Sequence, residues 1–211
     1  AFVSYIRKSF PELQENISHN MSPMATIAKR IKEKDPEAKT VFIGPCTAKK
    51  GEFQLPEVHK YVDCVLTFEE LQAMFDSREL DVGAMEETVL NNASGYGRIF
   101  AHCGGLAEAA AEALKEQGID FELKPLSCNG IEECKLALMK AARGKLDANF
   151  VEGMACVGGC VNGAGCMTHN ERNRVKVDAH SQQAQLKSIT DSLLYAAEID
   201  RELKEKAGDK A

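Results

Sequence analysis

The chain has 211 residues and a formal net charge of −6 at pH 7, with 44% hydrophobic and 27% charged residues. This composition excludes a disordered chain or a fibrous repeat, and the acidic balance argues against a general nucleic-acid binder. No apolar run approaches the length of a membrane span, so we expect no membrane contact. Eight cysteines in a chain long enough to build its own core favour a reducing, cytoplasmic setting in which some thiols bind metal.

Apolar periodicity and the positions of glycine and proline predict an alternation of helices and short strands. In chain order these are a helix over 2–10, a helix over 23–31, strands over 40–43 and 62–66, a helix over 67–75, a weak strand over 98–101, a helix over 105–117, a strand over 121–126, a helix over 129–143, a strand over 148–152 and a helix over 180–206. This order favours an α/β architecture of mostly parallel sheets flanked by helices.

Local signals fix several of the predicted helix ends. Ser22 before Pro23 is typical of an N-cap followed by proline at the first helical position. The sequence Thr67-Phe-Glu-Glu70 has the pattern of a capping box. Asn129 is placed to cap the helix that follows it, and Gly118 is placed to end the helix before it.

Two segments carry the candidate chemistry, Gly44-Pro-Cys-Thr-Ala-Lys-Lys-Gly-Glu52 and Val151-Glu-Gly-Met-Ala-Cys-Val-Gly-Gly-Cys-Val-Asn-Gly-Ala-Gly-Cys166. Each follows a predicted strand, and sites in parallel sheets gather beyond the carboxyl ends of strands. We therefore expect Cys46, Cys156 and Cys160 to meet in one place. Glycines let a backbone approach a bulky cluster closely, and thiolates suit iron–sulfur clusters or zinc.

The same residues also have plainer interpretations. A Cys-x3-Cys pair in a tight turn can be two packed thiols, and Cys46 after a proline can be a packing residue. Lys49 and Lys50 can be solvated charges, although lysine is unfavourable at a helix start unless an anionic ligand lies nearby. Glu52 can pair with either lysine or act as a cap. Cys64 and Cys134 lie in apolar-periodic segments and are expected in the core.

Taken together, the two segments resemble the catalytic domain of iron-only, or [FeFe], hydrogenases. That family carries a Pro-Cys-x-x-Lys-Lys-x-Glu motif and a Met-Ala-Cys-x-Gly-Gly-Cys-x-x-Gly-x-Gly motif, which stand here at 45–52 and 154–165. The resemblance covers nearly the whole chain up to about residue 170. It implies two intertwined lobes with a cluster site between them, and an enzyme that reversibly reduces protons to H2.

The resemblance also implies the cofactor, an H-cluster. In this group a [4Fe–4S] cube shares one cysteine thiolate with a di-iron unit that carries CO, CN and a dithiolate bridge. By match to the motifs, Cys46, Cys156 and Cys160 would bind the cube, and Cys160 would bridge to the di-iron unit.

Around the di-iron unit, the resemblance implies roles for four further residues. Lys49 would donate a charge-assisted hydrogen bond to a cyanide ligand. Met154 and Phe100 would line the pocket and exclude water. Ser18, which matches the serine of the family's Asn-x-Ser stretch, would lie on the proton path. The chemistry itself would belong to the cofactor, with the protein supplying position and electrostatics.

Several departures qualify the match. The family has an earlier Thr-Ser-Cys-Cys-Pro motif with a proton-relay cysteine and a fourth cube ligand, and residues 1–211 begin just after its position. We therefore expect a fragment of the catalytic domain that lacks its N-terminal part and is inactive by itself. Gly44, Met24 and the pair Cys166-Met167 replace residues common in well-known members, which indicates a less-studied or sensory-type branch.

The resemblance implies partners for this chain, and two alternative functions remain open. The implied partners are ferredoxin or another one-electron carrier and the hydrogenase maturation proteins, and an apolar stripe on the last helix would allow a homodimer. One alternative is a hydrogenase-like iron–sulfur assembly or sensor protein that does not make H2. The other is a structural zinc module that uses Cys156, Cys160, Cys166 and His169.

Overall fold

The computed structural model describes residues 1–88, 93–170 and 172–197. Its strands are β1 (Val41–Ile43), β2 (Cys64–Leu66), β3 (Pro125–Asn129) and β4 (Phe150–Met154). Its α-helices are α1 (Phe2–Ser9), α2 (Pro23–Lys34), α3 (Ala48–Glu52), α4 (Pro56–His59), α5 (Phe68–Asp76), α6 (Gly95–Arg98), α7 (Gly105–Glu116), α8 (Ile131–Ala142) and α9 (Arg172–Gln182), and 189–197 are also helical. Within the described ranges, every helix falls short of the length and apolar character that spanning a bilayer requires.

The strands form two separate two-stranded sheets, and both sheets are parallel. β1 pairs with β2 in a register that places Phe42 opposite Val65. β3 pairs with β4 in a register that places Asn129 opposite Met154. The crossover between β1 and β2 contains α3 and α4, and the crossover between β3 and β4 contains α8. The predicted α/β class with parallel sheets flanked by helices is confirmed.

Each sheet has its own apolar core. The core beside β1 and β2 is built from α2, α4 and β2, and its buried members are Met24, Ala25, Ala28, Val58, Val62 and Val65. The core beside β3 and β4 contains Cys128, Cys134 and Ala137, with Phe2 packed against it. Because α1 joins the second core and α2 joins the first, the chain crosses between the two halves, in agreement with the expected intertwined lobes.

The strand predicted over 98–101 is wrong. Residues 95–98 form α6 and Ile99–Ala101 form a 3₁₀ helix. The Ser94 hydroxyl accepts a hydrogen bond from the Gly97 amide at 3.2 Å, which caps a helix at this point. A serine cap therefore decides the conformation of a segment whose few apolar residues had suggested a strand.

The single long helix predicted over 180–206 is also wrong where the structure describes it. α9 ends at Gln182, the buried Ala184 follows, and a new helix covers 189–197. The Glu116 carboxylate accepts hydrogen bonds from the Ile189 and Thr190 amides, each at 2.8 Å, and so caps the new helix. The predicted portion over 198–206 lies outside the described residues.

Asp63 fixes the starts of β1 and β2 relative to each other. Its carboxylate accepts the Thr40 amide hydrogen at 2.8 Å and lies 3.0 Å from the Lys32 ammonium. The hydrogen bond from the Thr40 backbone, followed by the one from Lys32, lowers the pKa of Asp63 from 3.8 to about 2.

This pKa shift predicts how stability depends on pH. Because the pKa of Asp63 is lower in the folded chain, its contribution is fully present above pH 3.8 and is lost as the pH falls towards 2. We expect Asp63→Asn to destabilise the chain at pH 7 and the difference from wild type to shrink over that acidic window. Urea unfolding at a series of pH values measures this, with the exposed Asp120→Asn as control. A difference that stays constant from pH 7 to pH 2 would contradict the assignment.

Candidate functional site

The two motif segments meet directly in the structure. Cys46 follows β1 and Cys156 follows β4, so both lie beyond the carboxyl ends of parallel strands. The Gly165 amide donates a hydrogen bond to the Pro45 carbonyl at 2.9 Å. A Cβ atom built on Gly163 would lie 2.3 Å from that same carbonyl oxygen, so only glycine permits this contact. Chain segments more than 100 residues apart in sequence are thereby joined backbone to backbone.

Three cysteine thiols gather at this junction. Burial raises the pKa of the Cys160 thiol, and the neighbouring Cys46 and Cys156 thiols raise it further, whereas the Lys49 ammonium lowers it. Cys46 and Lys49 lie on one motif segment and Cys156 and Cys160 on the other, and the backbone contact joins these two segments. A metal centre that coordinates these sulfurs would deprotonate them and relieve the crowding of like charges.

The loop that carries Cys156 and Cys160 turns sharply between them. Gly158 and Gly159 have φ angles of +85° and +95°, which residues with side chains rarely adopt. A Cβ on Gly159 would lie 2.7 Å from the backbone nitrogen of Cys103. The Cys103 amide in turn donates to the Gly158 carbonyl at 3.3 Å, so the loop rests on the backbone of a neighbouring segment.

Asn129 holds the same loop from its other side. Its side-chain oxygen accepts a hydrogen bond from the Gly158 amide. The predicted role of Asn129 as a helix cap is therefore wrong, because α8 begins at Ile131 with Gly130 in the capping position. The two ends of strands β3 and β4 thus jointly shape the cysteine loop.

Lys49 and Glu52 form an ion pair at the start of the crossover. The Lys49 ammonium lies 2.7 Å from a Glu52 oxygen, and both side chains are largely buried, with 20% and 22% exposure. The Ser22 hydroxyl donates to the other Glu52 oxygen. Ser22 also caps α2 as predicted, accepting the Ala25 amide hydrogen at 3.3 Å. The contact between Ser22 and Glu52 carries no sequence signal, because 30 residues separate them.

The remaining predicted site residues have different surroundings. Met154 ends β4, is half-buried, and its carbonyl accepts the Gly130 amide hydrogen at 2.8 Å. Phe100 is half-buried within a 3₁₀ helix. Ser18 is exposed, and its hydroxyl oxygen accepts the Asn20 amide hydrogen at 3.3 Å. Among the residues described, no hydrogen bond joins the Ser18 side chain to the other predicted site residues.

Glu152 is a buried carboxylate that the sequence reasoning missed. It is 2% exposed. Its oxygens accept hydrogen bonds from the Gly104 and Ala107 amides, both at 3.0 Å, and from the Ser127 hydroxyl at 3.3 Å. The carboxylate therefore satisfies the free amides at the start of α7 and ties that helix to β4. An acidic residue inside an otherwise apolar strand was the available signal.

His102 lies near the predicted site and, as expected of a lone histidine, has hydrogen-bonding partners; it is also 2% exposed. Its Nδ1 atom lies 3.0 Å from the Cys103 carbonyl oxygen, and its Nε2 atom lies 3.2 Å from an Asp178 oxygen. The ring therefore links α9 to the segment on which the cysteine loop rests.

Three further cysteines are Cys103, which contacts the cysteine loop through its backbone, and Cys128 and Cys134. Cys128 and Cys134 are buried in the second core, as expected for Cys134. The same expectation is wrong for Cys64, which is only half-buried in β2. Burial raises the pKa of the Cys103, Cys128 and Cys134 thiols, and that of Cys134 reaches about 12. Glu152 contributes to the increase at Cys103 and Cys128. These thiols are therefore neutral near pH 7.

Two of the four side chains proposed for a zinc module, those of Cys166 and His169, make hydrogen bonds to backbone carbonyls. The Cys166 thiol donates to the Val161 carbonyl at 3.3 Å, and His169 Nε2 lies 2.9 Å from the Gly163 carbonyl oxygen. In the described part of the chain, no group of three or more His, Cys, Asp or Glu side chains is arranged to hold a single metal ion. A four-iron cube differs, because each thiolate binds a different iron atom and the sulfurs lie further apart. Three cysteine thiols are the donor chemistry that such a cluster requires.

Comparisons with known proteins agree with this geometry. Residues 1–164 match the family described as "Iron only hydrogenase large subunit, C-terminal domain". The chain is 29% identical over 228 residues to iron hydrogenase 1 of Clostridium pasteurianum. That match covers 88% of this chain but only 38% of the hydrogenase. The chain is also 36% identical over 80 residues to the cytosolic Fe-S cluster assembly factor NAR1 of Kluyveromyces lactis. That match covers 38% of this chain and 17% of the assembly factor.

The fold has close counterparts among solved structures. An [FeFe]-hydrogenase structure from a study of oxygen inactivation of the H cluster superposes with a TM-score of 0.68 at 20% sequence identity. The match covers 94% of this chain and 68% of that one. At this identity the likeness shows a shared fold.

Glycine at position 159 provides a test of the junction. We expect Gly159→Ala to cost about 3 kcal/mol, because it adds a clash with the Cys103 backbone to the strain of a positive φ angle. Gly144→Ala is the matched control, since Gly144 has a φ of +63° and nothing within 4 Å of its Cβ position. We expect the control to lose about 1 kcal/mol. Chemical denaturation measures both, and equal losses would contradict the close contact.

Proposed function

Because this chain belongs to the iron-only hydrogenase large-subunit family, we propose that it is a cluster-binding part of a hydrogenase catalytic domain. Cys46, Cys156 and Cys160 are the proposed ligands of a [4Fe–4S] cluster, and Cys160 is the proposed bridge to a di-iron unit. The observation that carries this proposal is the backbone contact between the two motif segments, which carry these three cysteines and Lys49.

The donor set supports an iron–sulfur cofactor. Thiolates are the usual ligands of such clusters, and the loop places glycines beside them, where a side chain would obstruct a bulky group. When bound, the H-cluster would supply the electron transfer and the metal at which protons and H2 interconvert. Every other contribution comes from the residues of the chain, which bind, orient and shield the cofactor.

Three roles around the cofactor follow from this proposal. Lys49 would donate a charge-assisted hydrogen bond to an anionic ligand of the di-iron unit, and such a bond is stronger than a neutral one. Met154 and Phe100, both half-buried, would shield the di-iron unit from water. Ser18 would relay protons between bulk water and the site, because its hydroxyl is exposed.

A second candidate function is iron–sulfur cluster assembly without H2 chemistry. The similarity to a cytosolic Fe-S cluster assembly factor favours it, although that match covers 38% of the chain. The cysteine site would then carry a cluster without a di-iron unit. In the hydrogenase proposal the partners are a ferredoxin or another one-electron carrier and the maturation proteins, and either function suits a cytoplasmic location.

Anaerobic reconstitution with ferrous iron and sulfide tests the shared part of both functions. We expect wild type to acquire iron and acid-labile sulfide in equal amounts, with the visible absorption of a [4Fe–4S] cluster. Cys46→Ser, Cys156→Ser and Cys160→Ser should each lose most of this iron, because each removes a thiolate ligand. Cys64→Ser is the control, since Cys64 lies in β2. Equal loss in the control, or uptake of zinc with no sulfide-linked iron, would refute the cluster site.

The two functions separate in the loaded protein. A hydrogenase domain is expected to bind a synthetic di-iron complex that carries CO and CN, and to show their infrared bands after desalting. An assembly factor should retain the [4Fe–4S] absorption and show no such bands. The Cys160→Ser variant, which lacks the bridging thiolate, should lose the bands in the first case.

A further inference from the structure

Adjacent lysines in the first motif segment are held in different ways. The Lys50 ammonium donates to the Val65 carbonyl at 3.2 Å and lies 2.7 Å from a Glu70 oxygen. Glu70 also completes the capping box of α5, so Lys50 ties α3 to β2 and to the start of α5. The Lys50 ammonium therefore makes structural contacts, whereas the Lys49 ammonium does not take part in them.

Both oxygens of the Glu52 carboxylate are occupied. One lies 2.7 Å from the Lys49 ammonium, and the other accepts the Ser22 hydroxyl hydrogen. Ser22 is fixed at the first turn of α2, because its oxygen accepts the Ala25 amide hydrogen. A carboxylate held at both oxygens has little rotational freedom. The lysine ammonium bonded to it is therefore also restricted in its position.

The Lys49 ammonium retains unused hydrogen-bonding capacity. An ammonium group has three N–H donors, and Glu52 is its one recorded partner among the described residues. The Lys49 amide donates to the Cys46 carbonyl at 3.3 Å, so Lys49 lies in the turn that begins at Cys46, on the segment that meets the cysteine loop. The donors that Glu52 leaves unused are therefore available to an anionic group at the cysteine site.

We propose that Ser22 and Glu52 are positioning residues, which together orient the Lys49 ammonium towards an anionic ligand beside Cys160. Ser22 fixes the carboxylate, the carboxylate fixes the ammonium, and the N-terminal turn of α2 thereby sets the geometry at the thiol site. The identity of the ligand that Lys49 meets rests on the proposed function, whereas the chain of contacts does not.

The chain of contacts can be tested without any cofactor. Relaxation of the ¹⁵Nζ signals measures how rigidly each lysine ammonium is held. We expect Lys49 and Lys50 to be ordered in wild type, and Lys39, whose side chain is 82% exposed, to be mobile. Ser22→Gly and Glu52→Gln should lower the order of Lys49 to the level of Lys39 and leave Lys50 unchanged.

Matched variants separate positioning from helix capping. Glycine is nearly as good an N-cap as serine, so Ser22→Gly removes the hydroxyl donor with little cost to α2. Ser22→Thr keeps the hydroxyl and should restore the order of Lys49. Glu70→Gln should release Lys50 and leave Lys49 ordered. The proposal is overturned if Lys49 remains ordered in Ser22→Gly or in Glu52→Gln.

Loaded protein provides a second readout. With a synthetic di-iron dicyanide complex as the probe, we expect wild type to shift and narrow a C≡N stretching band relative to the free complex. Lys49→Met should lose this shift, Ser22→Gly and Glu52→Gln should lose part of it, and Glu70→Gln should retain it. Identical bands in all variants would overturn the orientation of Lys49 towards the ligand. If no variant binds iron or the complex, the proposed function fails, and the lysine relaxation data still decide the positioning roles.

Discussion

The backbone contact between Pro45 and the Gly163–Gly165 stretch is the constraint on which the rest of the site depends. It brings the ends of β1 and β4 together although the two strands belong to different sheets with different cores. A side chain at position 163 would force this contact open, because its Cβ would overlap the Pro45 carbonyl oxygen. Each half of the molecule supplies part of the thiol set, so the set exists only while the halves stay in register.

Fold class and the starting points of the two motif segments were accessible from the sequence because their determinants are local. Strand ends marked by glycine or proline show where each motif segment leaves the carboxyl end of its own sheet. The two sheets are separate, so the meeting of the segments depends on the contact between Pro45 and Gly165. The capping box at Thr67 and the cap at Ser22 are encoded within four residues, and both occur as predicted. Short-range patterns of this kind survive folding because few distant contacts compete with them.

Long-range contacts account for what the sequence did not reveal. Asn129 has the chemistry of a cap, but the Gly158 amide lies within reach in the folded chain and takes its side-chain oxygen instead. The break in the last helix depends on Glu116, which lies more than 70 residues away and offers a cap at Ile189. Periodicity could not show either competition, because both partners come from elsewhere in the chain. The same holds for the Ser22 hydroxyl on Glu52.

Glu152 has an effect that reaches beyond anchoring α7. Its negative charge lies near Cys103 and Cys128 and adds to the burial that keeps both thiols protonated. A protonated thiol is a poor ligand for iron. Burial and the neighbouring thiols raise the pKa of Cys160 as well, but there the Lys49 ammonium offsets part of the increase. The charges beside the two groups of thiols therefore differ in sign: Glu152 opposes thiolate formation at Cys103 and Cys128, whereas Lys49 favours it at Cys160.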